Sequence, residues 1–476
     1  MTSAPFLLAG VETRSGHTHE VRSPWDGSVV TTLEVAGPEH VEAALQAAER
    51  ARDTLAALSA DARARILERA RDLLHERAEA FVQALVDEAG KPVRLARIEV
   101  ARAEDTLTDS AWAARSLRGD VEPLDAVGSG LGKMAVVRRA PVGPVTAITP
   151  FNFPLNLVLH KLGPAIAAGC PVILKPALET STASLLAGRL LLDAGLPPDA
   201  ISVLPLEHGH AEPLITDPRV RLISFTGSGK VGWDLRALAR GKRVLLELGG
   251  NATSIVCADA DVAAAASKLA VGAFAYAGQS CISVQNILVH RSRRDELLSA
   301  LLAATAKLAA GDPHDPEVWC GPVLRERDAD RITAWVDEAI AGGAKVALRG
   351  TRAGNLIPPI VLVDTPRTCR AHTDEIFGPV VNVLTFDTLD EAIGVVNASV
   401  NGLQASIFTS DLRSVLYAHA RLEVGALVHD EATAFRVDAQ TYGGVKESGL
   451  GREGPRHAVL EYTEPRLLVV GAPGMR

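Results

Sequence analysis

Residues 142–176 read VGPVTAITPFNFPLNLVLHKLGPAIAAGCPVILKP. VTAIT is a short apolar run bounded by Gly and Pro. LVLHKLGPAIAAG is a longer small-residue run that stops at Gly169, and CPVILKP is a second short run ending on Lys175. Strand, helix and strand in that order predict a parallel βαβ unit. The pattern continues outward: TSTASLLAGRLLLDAG is a helix, ISVLPL a strand, and VRLISFTGS a strand entering another helix. Near-continuous apolar strands alternating with helices imply a sheet covered on both faces. A second such alternation runs from Asn251 to about Ala432, so the fold class is α/β with two α/β domains. Toward the N-terminus, residues 38–90 and 94–117 carry amphipathic helical patterns, after short strands and turns in residues 1–35. KMAVVRRAPVG (133–143) reads as an exposed strand. The tail PRLLVVG (465–471) is a strand without a local partner, which predicts pairing far away in sequence or with another subunit.

At 476 residues with 47% hydrophobic composition, the chain is long enough for two or three well-buried domains. A net charge of −8 with no basic stripe argues against nucleic acid. Five scattered cysteines lack metal-ligand spacing, which argues against a disulfide framework and against a metal. The chain carries no secretory pattern, and no apolar run approaches the length of a membrane-spanning helix. The expectation is a cytoplasmic protein without a membrane partner.

Three motifs lie at strand ends. Gly227 to Gly232 (GSGKVG) satisfies G-x-G-x-x-G between a strand and a helix. It serves either as a pyrophosphate site on a helix N-terminus or as a plain strand-to-helix turn. In PFNFP (150–154), prolines fix the loop around Asn152, whose amide can donate to an oxyanion; a simple Pro-rich turn has the same composition. LELGGN (246–251) carries Glu247 beside a Gly pair. FAYAGQSCISVQ (274–285) places Cys281 among small residues, 34 positions after Glu247. A carboxylate and a thiol, each beside glycines, pair a possible base with a possible nucleophile.

PFNFP, LKPA, FTGSGKVG, LELGGN, GQSC, DEIFGPV (374–380) and YGGVKESGLGREG (442–454) occur in this order. In their order and spacing they resemble the aldehyde dehydrogenase superfamily, near the lactaldehyde, phosphonate-aldehyde and non-phosphorylating glyceraldehyde-3-phosphate dehydrogenases. The resemblance implies that Cys281 attacks the aldehyde, Asn152 holds the oxyanion and Glu247 activates water against the resulting thioester. It implies Lys175, Gly227, Ser228, Gly249, Glu375 and Phe377 as cofactor residues, with NAD or NADP as the cofactor. Members strict for NAD usually carry Glu three residues after the Lys. Here that position is Leu178, with Glu179 one step on, so a 2′-phosphate is not repelled. His160 and Arg436 fall at funnel positions that are aromatic in members acting on apolar aldehydes. With Phe153 and Tyr442 as apolar walls, they imply a small polar or anionic aldehyde. By resemblance the cofactor domain covers 1–120 and 140–247, and the catalytic domain 248–445. Residues 121–139 and 446–476 form a bridging element that drives a homodimer or homotetramer.

Rival readings are a CoA-acylating dehydrogenase, a cofactor-free cysteine hydrolase and a non-catalytic protein on the same fold. Members of the first commonly lack the base that Glu247 supplies. The second lacks a histidine near the thiol, and the third does not need Asn152, Glu247 and Cys281 together.

Overall fold

The computed structural model describes residues 3–471. Five strands form the parallel centre of the first sheet, in the spatial order Ile201–Val203, Val172–Lys175, Val145–Ile148, Leu222–Thr226, Arg243–Glu247. In chain order that is 3-2-1-4-5, a doubly wound arrangement with its reversal at Val145–Ile148. Helices Asn156–Ala168 and Ser181–Asp193 follow the first two of these strands in sequence and are buried along much of their length. All five strands run the same way, so the PFNFP loop, Lys175, Gly227 and Glu247 leave the sheet at one edge.

The second sheet has seven strands, ordered Lys345–Arg349, Ile360–Val363, Val380–Phe386, Asn286–His290, Thr253–Val256, Gln404–Phe408, Ala426–His429. All neighbours are parallel except the first pair. Its central strands are buried on both faces, as covering layers of helix require.

The tail strand Thr463–Gly471 pairs antiparallel with Lys133–Pro141 along its whole length, from Thr463↔Pro141 to Gly471↔Lys133. Asp120–Glu122 adds a third strand. The resulting ribbon leaves Leu467, Leu468, Val469 and Val470 exposed, as is Val121.

Residues 446–462 depart from the expected bridging role. Gly449–Leu450 joins the first sheet as an antiparallel edge on Arg243–Glu247. Helix Pro455–Glu461 buries Ala458 and Val459, with Tyr462 behind them, in the first domain's core. Burying these apolar groups and closing an open strand edge outweigh an extended path. The chain enters the ribbon only at Thr463. Residues 1–2 and 472–476 of the expected domains lie outside the described residues.

Candidate active site

Asn152 sits in the loop after Val145–Ile148 and is buried. Its Nδ2 donates to the Gln279 carbonyl at 3.0 Å, which uses one of two amide hydrogens. The second is free for a ligand oxygen, and Oδ1 has no partner among the described residues. Gln279 is itself tied down: its Oε1 accepts from Leu324 N at 2.9 Å, and its Nε2 donates to the Tyr276 and Pro322 carbonyls. Tyr276 and Ala277 both lie at positive φ, 54° and 53°. That conformation is costly for residues with a Cβ. Gly278 follows in the same left-handed region, where a Cβ would stand 2.3 Å from the Gly378 carbonyl oxygen. The loop is therefore wound tightly just before Cys281, which is half-buried.

A buried ion pair underlies both loops. Lys91 bonds Glu99, and neither side chain is exposed. Glu99 Oε1 also accepts from the backbone N–H groups of Leu155 and Asn156 at 3.0 and 3.1 Å, fixing the start of the helix after PFNFP. Lys91 Nζ lies 3.9 Å from the Phe153 ring centroid and 4.6 Å from that of Tyr276. Phe153, expected as a substrate wall, also packs between the two loops, against Lys91 and edge-on against Tyr276 at 6.3 Å.

Tyr442, read from sequence as an apolar wall, presents a polar atom instead. Its hydroxyl lies 3.0 Å from Cys281 Sγ. Burial pushes the Cys281 thiol up to about 11, opposed by this hydrogen bond and by the Arg436 charge. Arg436 stacks on the Tyr442 ring at 3.7 Å and pairs with Glu453 Oε2 at 2.9 Å, while its buried Nε has no partner among the described residues. His160 does not line an open funnel. It is 1% exposed, bonds Asp438 Oδ1 at 2.8 Å and lies 3.5 Å from a guanidinium nitrogen of Arg436. Burial and the neighbouring Arg436 charge lower its pKa, opposed by Glu453 and Asp438. Asp438 is also bonded by Arg102 and Asn156, so an aspartate on a loop captures the polar group that the helix offers.

Glu247 ends its strand 7% exposed, with Oε2 unpartnered among the described residues. A Cβ on Gly443 would stand 3.0 Å from Glu247 Oε1, so the carboxylate lies against the backbone next to Tyr442. Burial, then the Glu453 charge, raises its pKa well above the usual carboxylate range, opposed by Arg436 and Lys161. Glu453 goes the other way. Burial is outweighed by the His160, Arg436 and Lys161 charges, holding it down to about 2. Two carboxylates with opposed shifts are the pattern of one structural anion beside one proton acceptor.

Of the expected cofactor residues, Lys175, Gly227, Ser228 and Gly249 follow strands at one edge of the first sheet, and Glu375 and Phe377 reach it from the loop before Val380–Phe386. Lys175 is buried and makes no side-chain hydrogen bond or ion pair among the described residues; burial lowers its pKa to about 8. Glu179 is turned away from it toward Arg325, whose Nε donates to Oε1 at 2.8 Å. Ser228 caps helix Gly229–Leu238 without using its side chain. Phe377, at φ 46°, packs edge-on against Phe151 of the PFNFP loop, centroids 5.9 Å apart. Glu375 folds over Gly249 and accepts from Gly250 N at 3.2 Å. A Cβ on Gly249 would meet its carboxylate at 2.0 Å, so here that glycine makes room for Glu375. The missed residues Lys91, Glu99 and Glu453 carried only the signal of a charge in a Gly-Lys-Pro turn, on an amphipathic helix and in a Gly-rich loop.

Among the described residues, no helix is long and apolar enough to cross a membrane and no cluster suits a metal ion. The 3-sulfolactaldehyde dehydrogenase of Priestia aryabhattai is 43% identical over 85% of each chain. The structure of aldehyde dehydrogenase 21 from Physcomitrella patens, in complex with the reaction product succinate, superposes with a TM-score of 0.97 at 38% identity, covering all of both chains. That of the NADP-dependent glyceraldehyde-3-phosphate dehydrogenase from Bacillus halodurans C-125, complexed with NADP, gives 0.96 at 32% identity, over 99% of this chain and 100% of that one. The aldehyde dehydrogenase family profile matches residues 11–468. By sequence and by architecture, this chain belongs to the aldehyde dehydrogenase family.

Proposed function

We propose that this chain oxidises a small anionic aldehyde to its carboxylate with a nicotinamide dinucleotide, using Cys281 as nucleophile, Asn152 as oxyanion donor and Glu247 as base. The observation that carries the reading is the junction at Tyr442 and Gly443, with the thiol at 3.0 Å on one side and the carboxylate against the next residue. Cys281 Sγ attacks the carbonyl carbon, and the free Asn152 N–H meets the oxygen as charge develops there. Lys175, Gly227, Ser228, Gly249, Glu375 and Phe377 would hold the dinucleotide, which would accept the hydride lost from that carbon. Glu247 then takes a proton from water as the water attacks the thioester and Cys281 leaves as thiolate. A carboxyl raised by burial is a stronger base than an exposed one, which suits this step near neutral pH.

Lys175 supports a fit to the cofactor: it is a buried amine with no direct hydrogen-bond or ion-pair partner among the described residues, Glu179 acting on it only through its charge. Leu178 stands where an acid would repel a 2′-phosphate, and Arg325 occupies Glu179, so NADP is accepted. An anionic substrate is supported by the unpartnered Nε of Arg436, one aromatic ring away from the nucleophile. The relative named for 3-sulfolactaldehyde and the one solved with its product succinate point the same way. The exposed strand Thr463–Gly471 supports assembly of two or four copies through its ribbon.

The test is an aldehyde panel with each cofactor: lactaldehyde, 3-sulfolactaldehyde, succinic semialdehyde, glyceraldehyde 3-phosphate, phosphonoacetaldehyde and a long-chain alkanal. An anionic aldehyde is expected to have the highest kcat/KM. Preference for the alkanal would overturn the substrate class, and acid formation without either dinucleotide would overturn the reaction.

A further inference from the structure

The hydroxyl of Tyr442 has one hydrogen-bond partner among the described residues, Cys281 Sγ at 3.0 Å. The residue is 3% exposed, so no bulk water competes for that O–H. Its position is fixed from three directions. Backbone bonds in both directions tie Tyr442 to Glu453, with Tyr442 N donating at 3.1 Å and accepting through its own carbonyl. The Arg436 guanidinium covers the ring at 3.7 Å and is anchored by Glu453. Ile282 and Leu403 pack around the ring together with Cys281. A phenol held so firmly against a sulfur, with a guanidinium on its face, is a preorganised donor.

We propose that Tyr442 is a catalytic residue: its O–H donates to the Cys281 thiolate before attack and to the substrate-derived oxygen after the C–S bond forms. This rests on the reading of Cys281 as nucleophile. A thiolate sulfur is a strong acceptor and a thioether sulfur a weak one. As Sγ gives its electron pair to the carbonyl carbon, the C=O π pair moves to oxygen, and the best acceptor near Tyr442 moves from sulfur to that oxygen. Tyr442 keeps its proton throughout, so nothing is oxidised or reduced at the phenol. Asn152 and Tyr442 then donate to the same oxygen from two loops, and the Arg436 charge over the ring strengthens the phenol as a donor. The charged groups facing the thiol are Arg436, Glu375 and Glu247, and those facing the phenol are Cys281, Arg436 and Glu247. Of these only Arg436 favours the thiolate, so the Tyr442 hydroxyl is its principal uncharged support.

The experiment compares wild type, Tyr442→Phe and Cys281→Ser. It measures the rate of Cys281 alkylation by iodoacetamide against pH in the cofactor-free protein, and steady-state kinetics with the best aldehyde of the panel. Tyr442→Phe keeps the ring that Arg436 covers and removes only the oxygen. The expected result is an alkylation profile displaced to higher pH, about tenfold slower below both midpoints. A fall in kcat of about tenfold or more, with dinucleotide binding unchanged, should accompany it. Unchanged alkylation and kcat in Tyr442→Phe, with Cys281→Ser inactive, would overturn the role of Tyr442 alone. Turnover surviving in Cys281→Ser would overturn the nucleophile and the proposal with it. Should Tyr442→Phe fail to bind dinucleotide, 3-fluorotyrosine in place of all four tyrosines decides. A more acidic phenol donates more strongly, so the alkylation profile must move to lower pH, and a profile that stays in place overturns the proposal.

Discussion

The Asn152 side chain and the Gln279 carbonyl, 3.0 Å apart, join the two loops on which the proposed chemistry depends. One loop leaves the first sheet after Ile148, and the other precedes Cys281 at the mouth of the second. The amide that would face an oxyanion is thus positioned by the segment that carries the thiol. Asn152→Ala removes both the donor and the tie. The expected loss in kcat is about 10²–10³, with dinucleotide affinity retained in a fluorescence titration. Loss of less than about threefold would assign the oxyanion to other donors.

Glu247→Gln keeps the shape and removes the base. One equivalent of reduced dinucleotide should form rapidly and turnover then stall, with an acyl adduct on Cys281 visible by intact mass. In wild type, a base raised by burial must lose its proton before it acts, so deacylation-limited turnover should climb with pH through the range of Glu247. That acid limb should be missing in Glu247→Gln, and its survival would name another base.

Asp438 is held well below the usual carboxylate range. Burial alone would raise it, and the His160 hydrogen bond, with the His160 and Arg102 charges, outweighs burial. A depressed carboxyl contributes stability that is fully present above its unfolded value of 3.8 and is lost as pH falls through the folded one. Asp438→Asn should therefore cost on the order of 3 kcal/mol at pH 7 by urea unfolding. That is the small end of what breaking a buried pair costs, because the Arg102 side chain is 25% exposed and solvent screens it. The gap between variant and wild type should narrow as pH falls below 3.8. A gap independent of pH would remove the ion pair from the account.

Leu178→Glu places a carboxylate near the unpaired Lys175. The kcat/KM for NADP should drop by about tenfold or more through repulsion of the 2′-phosphate, while that for NAD holds or rises. Equal losses for both would mean that residue 178 does not face the ribose.

Much of this molecule could be read from one sequence because period and punctuation carried it. Both sheets, the Gly-rich turns and the order of motifs follow from strand-length apolar runs, helix-length runs and glycines between them. That 465–471 needs a distant partner was legible for the same reason, while which strand it meets, 133–141, came only with the family resemblance. Sequence could not give side-chain direction. His160 occupies the expected position, yet turns toward Asp438 because the loop supplies a carboxylate there. Tyr442 reads as an aromatic wall, and only packing shows that its one polar atom meets the sulfur. Lys91 reads as a turn charge between two helices and Glu99 as a surface charge on an amphipathic one. They lie inside because each satisfies the other and Glu99 also accepts two backbone N–H groups.

The short pairing of Leu246 with Leu450 and of Glu247 with Gly449 bears on how this protein is made. The strand that ends in Glu247 emerges from the ribosome with one side unsatisfied. All seven strands of the second sheet must be synthesised before its closing partner arrives. Nascent chains halted anywhere between would present a bare β edge to one another, a template for aggregation. Translation intermediates of this enzyme should therefore depend on chaperones until the segment beyond Ser448 is released.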